Sequence, residues 1–159
     1  MRIFLDANIL FSAAKSDGAI RQLLEMLLEG GHECVADAYV VEEARRNLVA
    51  KAPERAGELA RVLERMTIAA FARDAALEVS LPLIEKDRPV LAAAIRCGCA
   101  ALVTGDKTHF GGLHGAVVQG VRIHSPRSLA LAVGITSPGK PTVEERPARY
   151  RTRKRKGKR

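Results

Sequence analysis

The 159-residue chain is the length of one domain, and with 47% hydrophobic residues but only 4% aromatics and no Trp its core must be built from Leu, Val, Ile and Ala. No apolar run reaches the ~20 residues that cross a bilayer, and the opening MRIFLDANIL, interrupted by Asp6 and Asn8, is a poor secretory signal; the chain reads as cytoplasmic, with no membrane partner. The net charge of +8 is confined to residues 140–159, where ten Lys/Arg meet two acids, and positions 1–139 hold 16 basic and 16 acidic residues.

Residues Ile3 to Leu5 read as a buried parallel strand that runs into a loop at Asp6. Over 18–29, Ile20, Leu23, Leu24, Leu27 and Leu28 recur at helical spacing and Gly30-Gly31 ends the pattern. A short strand around ECVA follows, then a helix with Asp37 as N-cap that carries Glu43. Pro53 opens a further helix with Leu59, Val62, Leu63 and Met66 on one face, expected to form a hairpin with the helix before it. Residues 67–86 are mixed in pattern and broken by Pro82. Asp87 precedes a helix with Pro89 in its first turn, Leu91, Ala94 and Ile95 on one face, and Gly98 at its end. Ala101 to Val103 repeat the logic of the N-terminus, a strand that breaks into Thr104, Gly105 and Asp106, and GVRIHSP and RSLALAV read as a last strand and helix. From Gly134 the composition turns to Pro, Gly, Thr and charge, so residues 1–133 are expected to form the domain and 134–159 a disordered basic tail. Alternating strands and helices imply an α/β sandwich with a mostly parallel central sheet flanked by helices, in which ligands bind beyond the carboxyl ends of the strands.

Asp6 and Asp106 both fall at strand ends, where Glu43 and Asp87 can join them from packed helices. Three or four carboxylates without His or Cys suit Mg²⁺ or Mn²⁺, which can activate a water for attack on a phosphodiester. Asn8 can orient Asp6 by hydrogen bonding, Thr104 places a hydroxyl by the same site, and Gly105 relaxes the backbone between them. Each acid alone reads equally well as a cap or turn residue. Cys34, Cys97 and Cys99, with the tight spacing C-G-C, read as buried thiols. His32, His114 and His124 lack metal-ligand spacing, and Lys107 is either a loop charge or a contact to the scissile phosphate.

The segments IFLDANIL, VVEEARRNL, KDRPVLAAAIRCGCAALVTGDKTHF and GVRIHSPRSLAL, in this order over roughly residues 1–133, resemble the successive motifs of PIN domains. The resemblance implies the PIN three-layer fold and Mg²⁺/Mn²⁺-dependent cleavage of RNA, with Asp6, Glu43, Asp87 and Asp106 at the metal and Asn8 and Thr104 in support. The motif glutamate aligns to Glu42 or Glu43; Leu48, five residues beyond Glu43, favours the latter. Many members carry a further acid where this chain has His109, which either weakens a second metal site or contacts phosphate. Small single-domain proteins of this kind include toxins of bacterial toxin–antitoxin pairs, so RNA, a cognate antitoxin and a second copy in a homodimer are the expected partners. Arg151, Arg153, Lys154, Arg155 and Lys156 in the tail are candidate RNA contacts, and Tyr150 adds a stacking face. Two other readings stay open: a non-catalytic RNA-binding PIN module that uses the tail, and a Mg²⁺ enzyme acting on a small phosphorylated substrate.

Overall fold

In the computed structural model, which describes residues 1–71 and 87–135, the opening apolar run forms β1 (Arg2–Leu5), buried from Ile3 onward. The expected loop after Asp6 is absent. The chain turns directly into α1 (Ala7–Lys15), and Asp6 is its N-cap, accepting a hydrogen bond from the Ala7 amide at 2.7 Å. The reason is legible afterwards: Ile9, Leu10, Ala13 and Ala14 are buried at helical spacing, a period that begins only beyond the polar Asp6–Asn8 break.

α2 (Ala19–Glu29), β2 (Glu33–Asp37) and α3 (Ala38–Lys51) follow, with the Asp37 carboxylate capping α3 through the Val40 amide. A 3₁₀ turn at Pro53–Arg55 leads into α4 (Ala56–Leu63), which returns against α3, and then into β3 (Thr67–Ala69). Most of the mixed stretch 67–86 lies outside the described residues. α5 (Arg88–Arg96) buries Val90 to Ala94, and Gly98 follows it at a φ of 64°. β4 (Ala101–Val103) is fully buried. An additional short strand, β5 (Val117–Val118), pairs antiparallel with β6 (Val121–His124). The two residues between them, Gln119 and Gly120, both have positive φ, 47° and 84°, as a two-residue hairpin turn requires. α6 (Pro126–Ala132) begins with a capping box between Ser125 and Ser128.

Among the described residues six strands form one sheet in the order β3-β2-β1-β4-β6-β5, all parallel except β5. The chain steps outward from β1 to β2 and β3, then returns to the other side of β1 for β4 and β6. α3 and α4 pack together and against α1, whereas α5 packs on β4. The core between these layers is aliphatic, centred on Ile3, Leu5, Leu10, Val35, Leu48, Leu91, Leu102 and Ile123, with Phe4 and Phe110 the fully buried aromatics among the described residues. All three cysteines are free thiols, and burial pushes Cys34 and Cys99 up to about 11, far from the thiolate that binds metal. Among the described residues no helix is long and apolar enough to cross a membrane.

Candidate metal centre

The strand order reverses between β1 and β4, and an α/β sheet opens a crevice at such a point because the connections leave in opposite directions. Register sets what faces it. Leu5 pairs with Val103, so the next residues, Asp6 and Thr104, stand side by side where the two strands end.

Asp6 is 6% exposed and its carboxylate is fully engaged. One oxygen accepts from the Ala7 amide; the other accepts from Asn8 Nδ2 at 3.0 Å and from Thr104 Oγ1 at 2.8 Å. Asn8 cannot turn its amide around, because its Oδ1 accepts the Gly105 amide at 2.8 Å. Thr104 Oγ1 in turn accepts the Asp106 amide at 3.1 Å, which ties the two strand tips into one network. Burial is the largest influence on Asp6 and pushes its pKa to about 6; the Thr104 and Ala7 hydrogen bonds oppose this, and the negative charges of Glu43 and Asp87 add to it. Gly105 has no positive φ. Its role is one of space: an added Cβ would lie 3.3 Å from Asn8 Oδ1.

Asp106 behaves in the opposite way. Burial is again the largest single influence and works to raise its pKa, but the His109 amide and ring and the Thr108 amide, all bonded to its carboxylate, together hold it below the usual value. Phe110, fully buried, anchors this loop. His109 Nδ1 lies 2.7 Å from Asp106 Oδ2 and 3.1 Å from Asp87 Oδ2, and ligand atoms of Asp87, Asp106 and His109 all lie within 4.8 Å of one another.

Glu43 and Asp6 stand outside that tight trio. Glu43 is nevertheless close enough that its charge raises the pKa of both Asp6 and Tyr39. Glu42 is directed elsewhere, paired with Arg45 at 2.7 Å and Arg46 at 3.4 Å on the outer side of α3. Tyr39, one turn before Glu43, stacks on Phe71 with ring centroids 5.4 Å apart. Burial first, then the charges of Glu43, Asp87 and Asp6, keep its phenol protonated above the ordinary range. The sequence reading passed over Tyr39; its four-residue spacing from Glu43 was the available signal.

A PIN-domain family model matches residues 2–108. The chain belongs to the PIN-domain family. No curated protein sequence matches it. Its fold is similar to that of VapBC2 from Rickettsia felis, solved bound to a DNA fragment from their promoter (TM-score 0.61, 18% identity, covering 79% of this chain and 98% of the other). It is also similar to Mycobacterium tuberculosis VapC20, described as a sarcin–ricin-loop-cleaving toxin (TM-score 0.51, 10% identity, covering 74% of this chain and 97% of the other).

The donors of this PIN domain fit a hard divalent ion. Asp87 and Asp106 supply carboxylate oxygens, His109 a nitrogen, and Asp6, pushed up by burial first and by the charges of Glu43 and Asp87 besides, is an anion that a cation would relieve. An apolar groove of ≈ 460 Å³ between α2 and α6, lined by Ile20, Leu23, Met26 and Leu131 among others, holds no carboxylate and is separate from this centre. The tail candidates Arg151, Arg153, Lys154, Arg155 and Lys156 lie outside the described residues, as does the expected disordered tail 134–159 apart from Gly134 and Ile135; the Ile135 amide bonds the Ala130 carbonyl at 2.8 Å and its side chain packs against the core.

Proposed function

We propose that the chain is a Mg²⁺- or Mn²⁺-dependent endoribonuclease that hydrolyses RNA phosphodiester bonds and serves as the toxin of a toxin–antitoxin pair. The observation that carries this reading is the convergence of Asp6 and Asp106 at the switch point between β1 and β4, with Asp87 beside Asp106 and Glu43 acting electrostatically on Asp6. Asp6, Glu43, Asp87 and Asp106 would hold the ion; Asn8 and Thr104 fix the direction of the Asp6 carboxylate and link it to the Asp106 backbone. A divalent ion held by these residues would supply an acidified water and offset charge on the phosphate oxygens.

Two features favour RNA over a small phosphate ester. Only six aromatic residues occur in the chain, and two of them, Tyr39 and the partly exposed Phe71, form a stack near the carboxylates. An aromatic face of this kind accepts a nucleobase. The basic tail neutralises phosphates without regard to sequence, so Arg151, Arg153, Lys154, Arg155 and Lys156 capture the polymer for the carboxylate centre. The toxin reading is prompted by the likeness to VapC20, itself described as a toxin; an antitoxin partner, a homodimer and a cytoplasmic location belong to the same proposal.

Incubating the purified protein with assorted RNAs in Mn²⁺ and in EDTA tests the reading. Cleavage in Mn²⁺ that stops in EDTA and in Asp6→Asn supports it. RNA that is bound but left intact in Mn²⁺ would instead make the chain a non-catalytic RNA-binding module.

A further inference from the structure

The trio at the β4 tip has a composition that an all-carboxylate site lacks. His109 is held by two backbone facts: its amide bonds Asp106 Oδ1 at 3.0 Å, and the buried Phe110 beside it fixes the loop. The ring is thereby aimed between two carboxylates, with Nδ1 2.7 Å from Asp106 Oδ2 and 3.1 Å from Asp87 Oδ2. An octahedral ion with ligands at about 2.1 Å has neighbouring ligand atoms about 3.0 Å apart. The two spacings match those of adjacent ligands on one ion, and side chains so placed need little rearrangement to become a set of one nitrogen and two oxygens.

A purely structural hydrogen bond from His109 would need one carboxylate acceptor; this Nδ1 faces two, on different elements, Asp87 at the start of α5 and Asp106 after β4. Imidazole nitrogen suits transition metals, whereas Mg²⁺ favours an oxygen shell and sheds its waters reluctantly. Mn²⁺ accepts both donor types.

We propose that His109 ligates the ion through Nδ1, with Asp87 and Asp106, and that this nitrogen makes the centre selective for Mn²⁺ over Mg²⁺. The ion takes the place of the hydrogen bond between Nδ1 and the carboxylates; Nδ1 binds it unprotonated, and the single proton of the neutral ring then sits on Nε2. This inference rests on the metal centre proposed above.

The experiment measures Mn²⁺ bound to the full chain by electron paramagnetic resonance, with Mg²⁺ as competitor, and looks for nitrogen modulation in the electron spin echo, in the parent, His109→Asp and His109→Asn. Expected are nitrogen modulation in the parent that disappears in both variants, and a Mn²⁺-to-Mg²⁺ affinity ratio that falls about tenfold in His109→Asp. The Asp variant retains a donor at the position, so loss of selectivity with retained binding separates ligation from misfolding; thermal unfolding in EDTA confirms that each variant is folded. Mn²⁺ that binds without nitrogen modulation, or an unchanged ratio in His109→Asp, overturns the role of His109 and leaves the carboxylate centre standing. Failure of the parent itself to bind Mn²⁺ overturns both.

Discussion

The tips of β1 and β4 present the same residue type at adjacent strand ends, yet their carboxylates are pushed in opposite directions. Asp6 lies under the first turn of α1 among other acids and its pKa rises to about 6, with burial the main cause. Asp106 sits on a half-buried loop, and His109 and Thr108 stabilise its charge enough to outweigh burial. One site thus contains an anion strained by its surroundings and an anion already satisfied by them. Each carboxylate accepts three hydrogen bonds, so the difference shows that what a carboxylate costs in a fold depends on how deeply it is buried and which charges face it, more than on its position along a strand.

Activity gives the largest effect and is blind to the distinction. Asp6→Asn and Asp106→Asn should each lower Mn²⁺-dependent RNA cleavage by more than about a hundredfold, measured at saturating substrate. Near-parental activity in either would remove that residue from the metal centre. On the neighbouring helix, Glu43→Gln should lose most activity, while Glu42→Gln, whose partners are the exposed Arg45 and Arg46, should keep it and cost no more than about 0.5 kcal/mol of stability. The reverse pattern would shift the functional register of α3 by one residue.

Stability without metal separates the two tips. Asp6 has a folded pKa of about 6, above the ordinary 3.8, so between these values the folded protein holds a proton that the unfolded chain has released. That contribution is fully present below pH 3.8 and is lost as pH rises through 6. At about 1.4 kcal/mol per pKa unit the ionised buried group costs about 3 kcal/mol. Asparagine cannot ionise but gives up one hydrogen bond, worth about 1 kcal/mol. Denaturant titration in EDTA should therefore find Asp6→Asn more stable than the parent by about 2 kcal/mol at pH 8, with the advantage gone at pH 4. Asp106→Asn should run the other way. Its lowered pKa means the anion contributes stability above the ordinary carboxylate range and loses it as pH falls through the folded value, so the variant should be less stable than the parent at pH 7, by about 1 kcal/mol for the weakened charged hydrogen bonds. Equal pH profiles in the two variants would erase the contrast.

The link between the tips is testable by a smaller change. Gly105→Ala places a methyl 3.3 Å from Asn8 Oδ1 and should cost about 1 kcal/mol, together with a several-fold loss of activity as Asn8 turns away from Asp6. The tail should matter to neither tip. Truncation after residue 139 removes the excess charge of +8 and should weaken RNA binding and flatten its salt dependence while leaving turnover at saturation nearly unchanged. Loss of cooperative unfolding in that variant would place the tail within the fold.

Much of this architecture was readable from the chain alone, because buried strands and amphipathic helices write their period locally. Ala101–Val103 and the Asp37-capped helix were recognisable from a few residues each, and the recurrence of an apolar run ending in Asp marked both strand tips. The helix directly after Asp6 was missed because the polar Asp6–Asn8 break hides the start of its period, and the β5–β6 hairpin because Gln119-Gly120 is a weak turn signal whose positive φ only pairing reveals. Composition and spacing determined that the protein is an α/β sandwich with acids at its strand ends. Only the tertiary structure decided which of them share a crevice, that Glu42 turns to Arg45 and Arg46 while Glu43 acts on Asp6, and that His109 stands between Asp87 and Asp106. The physical reason is range: periodicity is set by neighbours a few residues apart, whereas the charge and burial that give a carboxylate its chemistry come from elements a hundred residues away that the strand order alone brings together.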